Sequence, residues 1–374
     1  MKILFVDNST WNIYNFRQHL LQRLQREGHE LYFAAPSDRY LERVDPTFRT
    51  RFFPVHYLLP RGKNPFHDLQ LFIELSRLYR HVKPDLVIHY TIKPNIFGSF
   101  AACWVGIPSI AILTGLGYSF LHRGPIHFLV SRLYRQAFRF PKKIVFYNED
   151  DRQQLVRTTL IDPAKTLILP GSGVDAAHFA PSPLPSERTP FHFLFIGRLI
   201  HDKGIREYVE ASAILAQKGL NVQCQIIGEL HSGNPTAISE TELRQWTETG
   251  LINYLGLAED VRPYIQQAHV VVLPSYREGI PKSLLEAMAM ARPIVTTDAP
   301  GCKETVEDGI NGLSVPVKNA RALAEAMEKM HSFSLDTLTA MGQAGRKRVF
   351  QYFEQSIVAE RFMELVKNVK EPKL

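Results

Sequence analysis

The sequence predicts an α/β protein of two domains, each built on a largely parallel sheet covered by helices. A length of 374 residues is too long for one ordinary core and suits two. Short apolar runs alternate with stretches of helical spacing along the chain, the pattern of strand-helix units. A Pro- and Ser-rich segment, APSPLPSERTP at 180 to 190, lies almost midway and can continue neither a helix nor a central strand. Apolar residues make up 45% of the chain and charged residues 22%, a composition that buries a core and is not that of a disordered chain.

The elements follow in order. ILFVD (3 to 7) reads as a strand, RQHLLQRLQREGH as a helix stopped at Gly28, and ELYFAAP as the next strand, which makes a βαβ unit. DLVIHY (85 to 90), SIAILT (109 to 114), KIVFYN (143 to 148) and TLILPG (166 to 171) continue the sheet. After the Pro-rich segment the pattern restarts with FHFLFIG (191 to 197), a helix over REYVEASAILAQKG, QCQIIG (223 to 228), INYLG (252 to 256) and VVVLPS (270 to 275). A helix from Lys282 and PIVTT (293 to 297) complete it, and the stretch from ALAEAMEKM through RFMELVKNVK is helical in pattern. The expected division is 1–180, a linker at 181–190, a second domain at 191–350, and a terminal helix at 351–374 that crosses back to the first domain. No repeat of solenoid period is present.

Bulk properties exclude several classes. The N-terminus reads as a strand and not as a secretory leader, and no window approaches the roughly 20 apolar residues of a spanning helix. Cys103, Cys224 and Cys302 lack metal-ligand spacing and read as reduced core residues of a cytosolic chain. The net charge of +7 admits nucleic acid, an anionic membrane or a phosphorylated substrate. Nucleic acid is the weakest of these, because no binding motif is present and the basic residues are dispersed outside 120–143.

Chemistry concentrates in SYREGIPKSLLEAMAMARPIVTTDAPGCKE, where Glu278 and Glu286 are separated by seven residues across a turn and a helix start. Gly279 and Pro281 turn the chain, so both carboxylates can face one cleft, and backbone N–H groups along Gly279 to Lys282 suit a diphosphate at a helix N-terminus. The alternative is a Ser283–Glu286 capping box beside a solvated Glu278. Upstream, FLFIGRLIHDKGI places Arg198 and Lys203 after a strand and before a helix, where α/β sheets bind ligands. In the first half, His89 reads either as a satisfied strand-end histidine or as part of a site, and Lys93 as a turn lysine or a functional one. Gly115 and Gly117 either permit a positive-φ turn or admit a substrate to the backbone. Residues 120–143 interleave aromatic and apolar side chains with Arg and Lys, which fits an anionic membrane surface or a half-buried helix with a basic face.

GRLIHDKG, IIGEL, NYLG, LPSYREGIPKSLLEAMAMARPIV and EDGINGLSV, in that order, resemble the retaining glycosyltransferases of family 4 and the GT-B fold. That resemblance implies two Rossmann-like domains with parallel sheets facing across a cleft, the acceptor on the first and the nucleotide sugar on the second. It also implies that Glu278 contacts donor sugar hydroxyls, Glu286 the ribose, and Arg198 with Lys203 the diphosphate, while Gly279, Ile280, Pro281 and Lys282 supply backbone contacts. YNFRQHL, HYTIKPNIFG and TGLGYSF are similar to a narrower group that acts on lipid-linked sugars in bacterial polysaccharide and glycan assembly. Many members carry Gly-Gly in the first loop, where this chain has Asn12 to Asn15. Many also carry a histidine after the fourth strand, where this chain offers Thr114, with Thr114 or Lys93 to take the sugar-facing role. Asn15, Gly115, Gly117 and Tyr118 are the expected acceptor-side loop residues.

The expected reaction is transfer of an N-acetylhexosamine from a UDP-sugar to a polyprenyl-diphosphate-linked sugar, with retention and without metal or other cofactor. The expected location is the cytoplasmic face of the membrane, with peripheral contact through 120–143. A UDP-N-acetylhexosamine epimerase and a non-catalytic nucleotide-sugar-binding protein are the alternatives. The two-glutamate block argues against the first, and retention of both glutamates and both cations against the second.

Overall fold

The computed structural model describes residues 1–59, 64–116, 125–159, 161–230 and 233–370. The chain divides into two compact units, Met1–Ser172 with Gln355–Leu374, and Gly173–Glu354. In the first unit, β1 (Lys2–Val6), β2 (Glu30–Ala35), β3 (Phe52–Pro54), β4 (Leu86–Tyr90), β5 (Ser109–Leu113), β6 (Lys143–Phe146) and β7 (Thr166–Ile168) form one sheet in the order β3-β2-β1-β4-β5-β6-β7. In the second, β8 (Phe191–Ile196), β9 (Val222–Ile227), β10 (Asn253–Tyr254), β11 (Val270–Leu273), β12 (Ile294–Thr297) and β13 (Gly312–Val315) follow the order β10-β9-β8-β11-β12-β13. All pairings between these strands are parallel.

Parallel strands need crossovers, and the helices between them cover the sheet faces. That is why β4, β5, β11 and β12 are buried at every position and read as largely apolar runs, without the alternation of a half-exposed strand. Helix starts obey local chemistry: Asn64 caps the helix Pro65–Val82 with its side chain, and Ser239 and Glu242 form a full capping box. Two strands escape the sequence pattern. β3 is a three-residue edge strand ending in proline, and β13 lies in a Gly- and Asn-rich stretch that carries no apolar run.

The terminal helix Gln355–Lys370 belongs to the first unit, where it meets the helix Gln18–Arg26 and buries Val358, Phe362, Leu365 and Val366. The division between units falls at Ser172/Gly173 and not in the Pro-rich segment. Arg292 explains why. It is fully buried, and its guanidinium donates to the carbonyls of Ser182, Pro183, Ile265 and Gln266, at 2.7, 2.9, 2.9 and 2.8 Å. The Pro-rich chain is thus stapled to the second unit. Arg292→Met should lower unfolding stability by about 3 kcal/mol or more, because several carbonyls lose their donor while remaining buried. Denaturant titration checks this through a fall in midpoint at unchanged m-value.

The cysteine expectation needs one correction. Cys224 and Cys302 are buried and free, but Cys103 is exposed, because it lies on the outer face of the helix Ser99–Val105.

Candidate active site

In each sheet the strand order reverses at one place, between β1 and β4 and between β8 and β11. Loops at the carboxyl ends of such a strand pair diverge and leave room for a ligand.

In the second unit those loops are Gly197–Gly204, after β8, and Pro274–Pro281, after β11. They are sewn together. Tyr276 N donates to Asp202 O at 2.9 Å, Tyr276 Oη to Glu207 Oε1 at 2.6 Å, and the Lys203 ammonium pairs with Glu278 Oε1. Ser275 Oγ lies 2.6 Å from the same Glu278 oxygen and 3.0 Å from Asp202 O. Two glycines make the approach possible. Gly204 has φ +72° and a Cβ there would sit 1.9 Å from Pro274 O, while Gly301 has φ +84° and a Cβ there would sit 2.3 Å from Glu278 O. Beside Gly301, Glu278 N donates to Pro300 O at 2.9 Å, so the loop after β12 holds the other side.

The helix Lys282–Ala289 starts at Pro281 without a side-chain cap, so the Ser283–Glu286 capping box does not form. Glu286 is buried in the second turn, 3.8 Å from Lys282 Nζ. Burial pushes its carboxyl up to about 7, against the pull of Lys282. Gly279 is buried and Ile280 half-buried. Pro281 has no N–H, so the stretch from Gly279 to Lys282 contains three backbone N–H groups and not four. Arg198 is exposed in the loop after β8. Cys302 is buried nearby, and burial together with the Glu278 charge pushes its thiol up to about 12, which keeps it neutral and inert. No three His, Cys, Asp or Glu side chains gather as a metal set among the described residues.

The first unit has a polar cluster at its own reversal point. Asp7, just past β1, and Arg17, at the break between the helices Thr10–Phe16 and Gln18–Arg26, are buried and 3.8 Å apart. The guanidinium carbon of Arg17 lies 3.8 Å from the centre of the Tyr90 ring, and Nη1 is 3.4 Å from Tyr147 Oη. Asn12 donates to Asp7 at 2.8 Å. Burial raises the Asp7 carboxyl above its usual range and Arg17 pulls it back.

The other expected residues separate. Lys93 is no solvated turn lysine, because its ammonium pairs with Asp68 at 2.7 Å. Thr114 is half-buried past β5, and Gly115 has φ +130°, a turn position. Asn15 bonds the carbonyl of Trp11 at 3.3 Å. His89 lies inside β4, buried, with Nε2 2.9 Å from Tyr79 Oη and its basicity lowered by burial to about 3, so it is structural. Gly117, Tyr118 and residues 120–124 fall outside the described residues. The helix Pro125–Ala137 and the residues just beyond it are half-buried with a basic outer face: Tyr134, Ala137 and Phe138 pack into the core, while Phe128, Leu129, Arg132, Arg135, Arg139 and Phe140 are exposed.

Comparison with known proteins agrees with this architecture. The family profile described as "Glycosyl transferases group 1" matches residues 190–332, and that described as "Glycosyltransferase Family 4" matches residues 17–178. The chain belongs to glycosyltransferase family 4. Among relatives of this transferase is the N,N'-diacetylbacillosaminyl-diphospho-undecaprenol alpha-1,3-N-acetylgalactosaminyltransferase of Campylobacter jejuni, 27% identical across 99% of this chain and 100% of that one. Another is the UDP-Gal:alpha-D-GlcNAc-diphosphoundecaprenol alpha-1,3-galactosyltransferase of Escherichia coli, 23% identical over 77% of this chain and 80% of that one. The fold matches the crystal structure of Anabaena HepE in complex with UDP, with a TM-score of 0.79 at 18% identity, covering 98% of this chain and 100% of that one. It also matches a Rickettsia africae glycosyltransferase, with a TM-score of 0.81 at 19% identity, covering 100% and 99%. The transferase therefore has the GT-B fold.

Sequence reading missed two participants in these edges, Ser275 and Arg17. Both lie in stretches singled out above, yet a serine after a strand and an arginine between helical pieces carry no signal until the strand order brings their partners to them.

Proposed function

We propose that this transferase moves an N-acetylhexosamine, with retention, from a UDP-sugar held by the second unit to a sugar on polyprenyl diphosphate held by the first. The observation that carries the reading is the Lys203–Glu278 pair at the β8/β11 reversal point, with Glu286 buried in the helix that begins four residues beyond Glu278. On this reading Glu278 accepts hydroxyls of the donor sugar and Glu286 those of the ribose, while Lys203 and Arg198 meet the charge of the departing UDP without a metal. Backbone groups of Gly279, Ile280 and Lys282 line the donor. Thr114, Lys93, Asn15 and Gly115 lie on the first unit, where the acceptor would bind. The C. jejuni and E. coli relatives act on diphospho-undecaprenol-linked sugars, which supports a lipid-linked acceptor here.

Such an acceptor places the enzyme at a bilayer. No helix among the described residues is long and apolar enough to cross one. Exposed Phe128, Leu129 and Phe140, beside Arg132, Arg135 and Arg139, supply apolar contact and positive charge for peripheral contact with an anionic cytoplasmic leaflet.

The test is a thermal-shift series with UDP, GDP, ADP and their sugar conjugates. UDP at about 100 times its Kd should add roughly 2.7 kcal/mol of stability. A shift with no nucleotide, or with ADP alone, would sink the reading. The pH dependence is equally specific. A carboxyl raised to about 7 is protonated in the folded state where the unfolded chain is already ionised, so its stabilising effect is present at low pH and is lost as pH rises from about 4.5 through 7. Ribose hydroxyls need the ionised, accepting form. UDP affinity should therefore rise about tenfold between pH 6 and 8, and Glu286→Gln should make it flat.

A further inference from the structure

Ser275 follows Pro274 at the end of β11 and is fully buried. Its main chain is pinned from both sides: its carbonyl accepts from Thr297 Oγ1 at 2.5 Å, and the next N–H donates to Asp202 O at 2.9 Å. The side chain has one torsion and one proton to give. Of the two oxygens in reach, Glu278 Oε1 at 2.6 Å is anionic and Asp202 O at 3.0 Å is neutral. A distance of 2.6 Å is that of a hydroxyl bonded to a carboxylate, so the proton goes to Glu278.

Lys203 and Ser275 thus reach Glu278 Oε1 as partners of different kinds. Lys203 reaches it with a long flexible stem and a point charge, and Ser275 with a fixed hydroxyl. A diphosphate entering beside Lys203 carries more negative charge than one carboxylate and competes for the ammonium. It has no means of displacing a buried hydroxyl.

We propose that Ser275 is a positioning residue for sugar transfer, its hydroxyl keeping the Glu278 carboxylate aimed at the donor sugar after the diphosphate has drawn Lys203 away. This rests on the donor site proposed above. It adds that the geometry of the reacting complex depends on a residue that touches no substrate. Because UDP alone has no sugar for Glu278 to meet, the loss of Ser275 should leave UDP binding intact and appear in turnover.

The experiment compares wild type, Ser275→Ala and Ser275→Thr by UDP release from UDP-N-acetylgalactosamine and UDP-N-acetylglucosamine. Undecaprenyl-diphosphate-linked N-acetylglucosamine in detergent serves as acceptor, and hydrolytic release without acceptor gives a second rate. For Ser275→Ala the expected result is a 10- to 50-fold fall in kcat, with donor KM, Kd for UDP and Tm near wild type. Ser275→Thr, which keeps the hydroxyl, should recover at least a third of wild-type kcat if it folds. An alanine variant with kcat within twofold of wild type overturns the proposal. So does one that loses UDP affinity and Tm in step with kcat, since Ser275 would then be a packing residue only. Wild type that neither binds UDP nor releases it from either donor sinks the donor-site reading itself, before any variant is compared.

Discussion

Glu278→Gln is expected to lower kcat by about 10²- to 10³-fold while UDP alone binds within a fewfold of its wild-type affinity. A preorganised polar group aimed at the reacting sugar is worth that much when it is removed. Here the preorganisation is visible in several contacts. The carboxylate is held by Lys203 and Ser275, the Glu278 amide is bonded to Pro300 O at 2.9 Å, and Gly301 lets that backbone close up. Glutamine keeps the shape and neutralises the charge, so the loss should fall on turnover more than on folding. Steady-state kinetics beside UDP titration separate the two, and equal losses in both would assign Glu278 to nucleotide binding instead.

Lys203→Ala is the second large loss, expected at about 10²-fold or more in kcat/KM. It removes the cation proposed to meet the leaving diphosphate, and it also leaves Glu278 mostly buried without that counter-ion. Both donor KM and kcat should suffer, unlike the Glu278 variant. The Lys203→Ala, Glu278→Gln double variant should lose less than the product of the single losses, because removing the carboxylate charge relieves the imbalance that the lysine change creates. Strict multiplicativity in that cycle would mean that the two side chains act independently.

Much of the fold was legible because parallel strands buried on both faces leave largely apolar runs. Eleven of the thirteen strands among the described residues coincide with stretches read from the sequence, including every strand that carries a site loop. Edge strand β3 was not legible, since three residues ending in proline do not make a pattern. At the site, Glu278 and Glu286 were legible from spacing, and so was the placement of Arg198 and Lys203 after a strand. What sequence could not give was pairing. Lys203 and Glu278 are 75 positions apart, Arg17 and Tyr147 130, and Arg292 and Ser182 110. Such contacts exist only once the strand order is set, and a charge that ends buried looks the same in a sequence as one left in water. The Pro-rich segment shows the same limit: its composition is that of a linker, but one arginine far along the chain makes it part of a folded unit.

The return of the helix Gln355–Lys370 to the first unit sets an order of events during synthesis. The ribosome finishes Met1–Ser172 and then spends 182 residues, Gly173 to Glu354, on the other unit before making that helix. At about 5 to 20 residues per second, the first unit waits roughly 10 to 35 s with the apolar surface that will receive Phe362, Leu365 and Val366 still open. The second unit is contiguous and can close as soon as it emerges. The unit that begins the chain is therefore the last to be completed, and for that interval it is the part of the nascent protein most exposed to chaperones and to premature association.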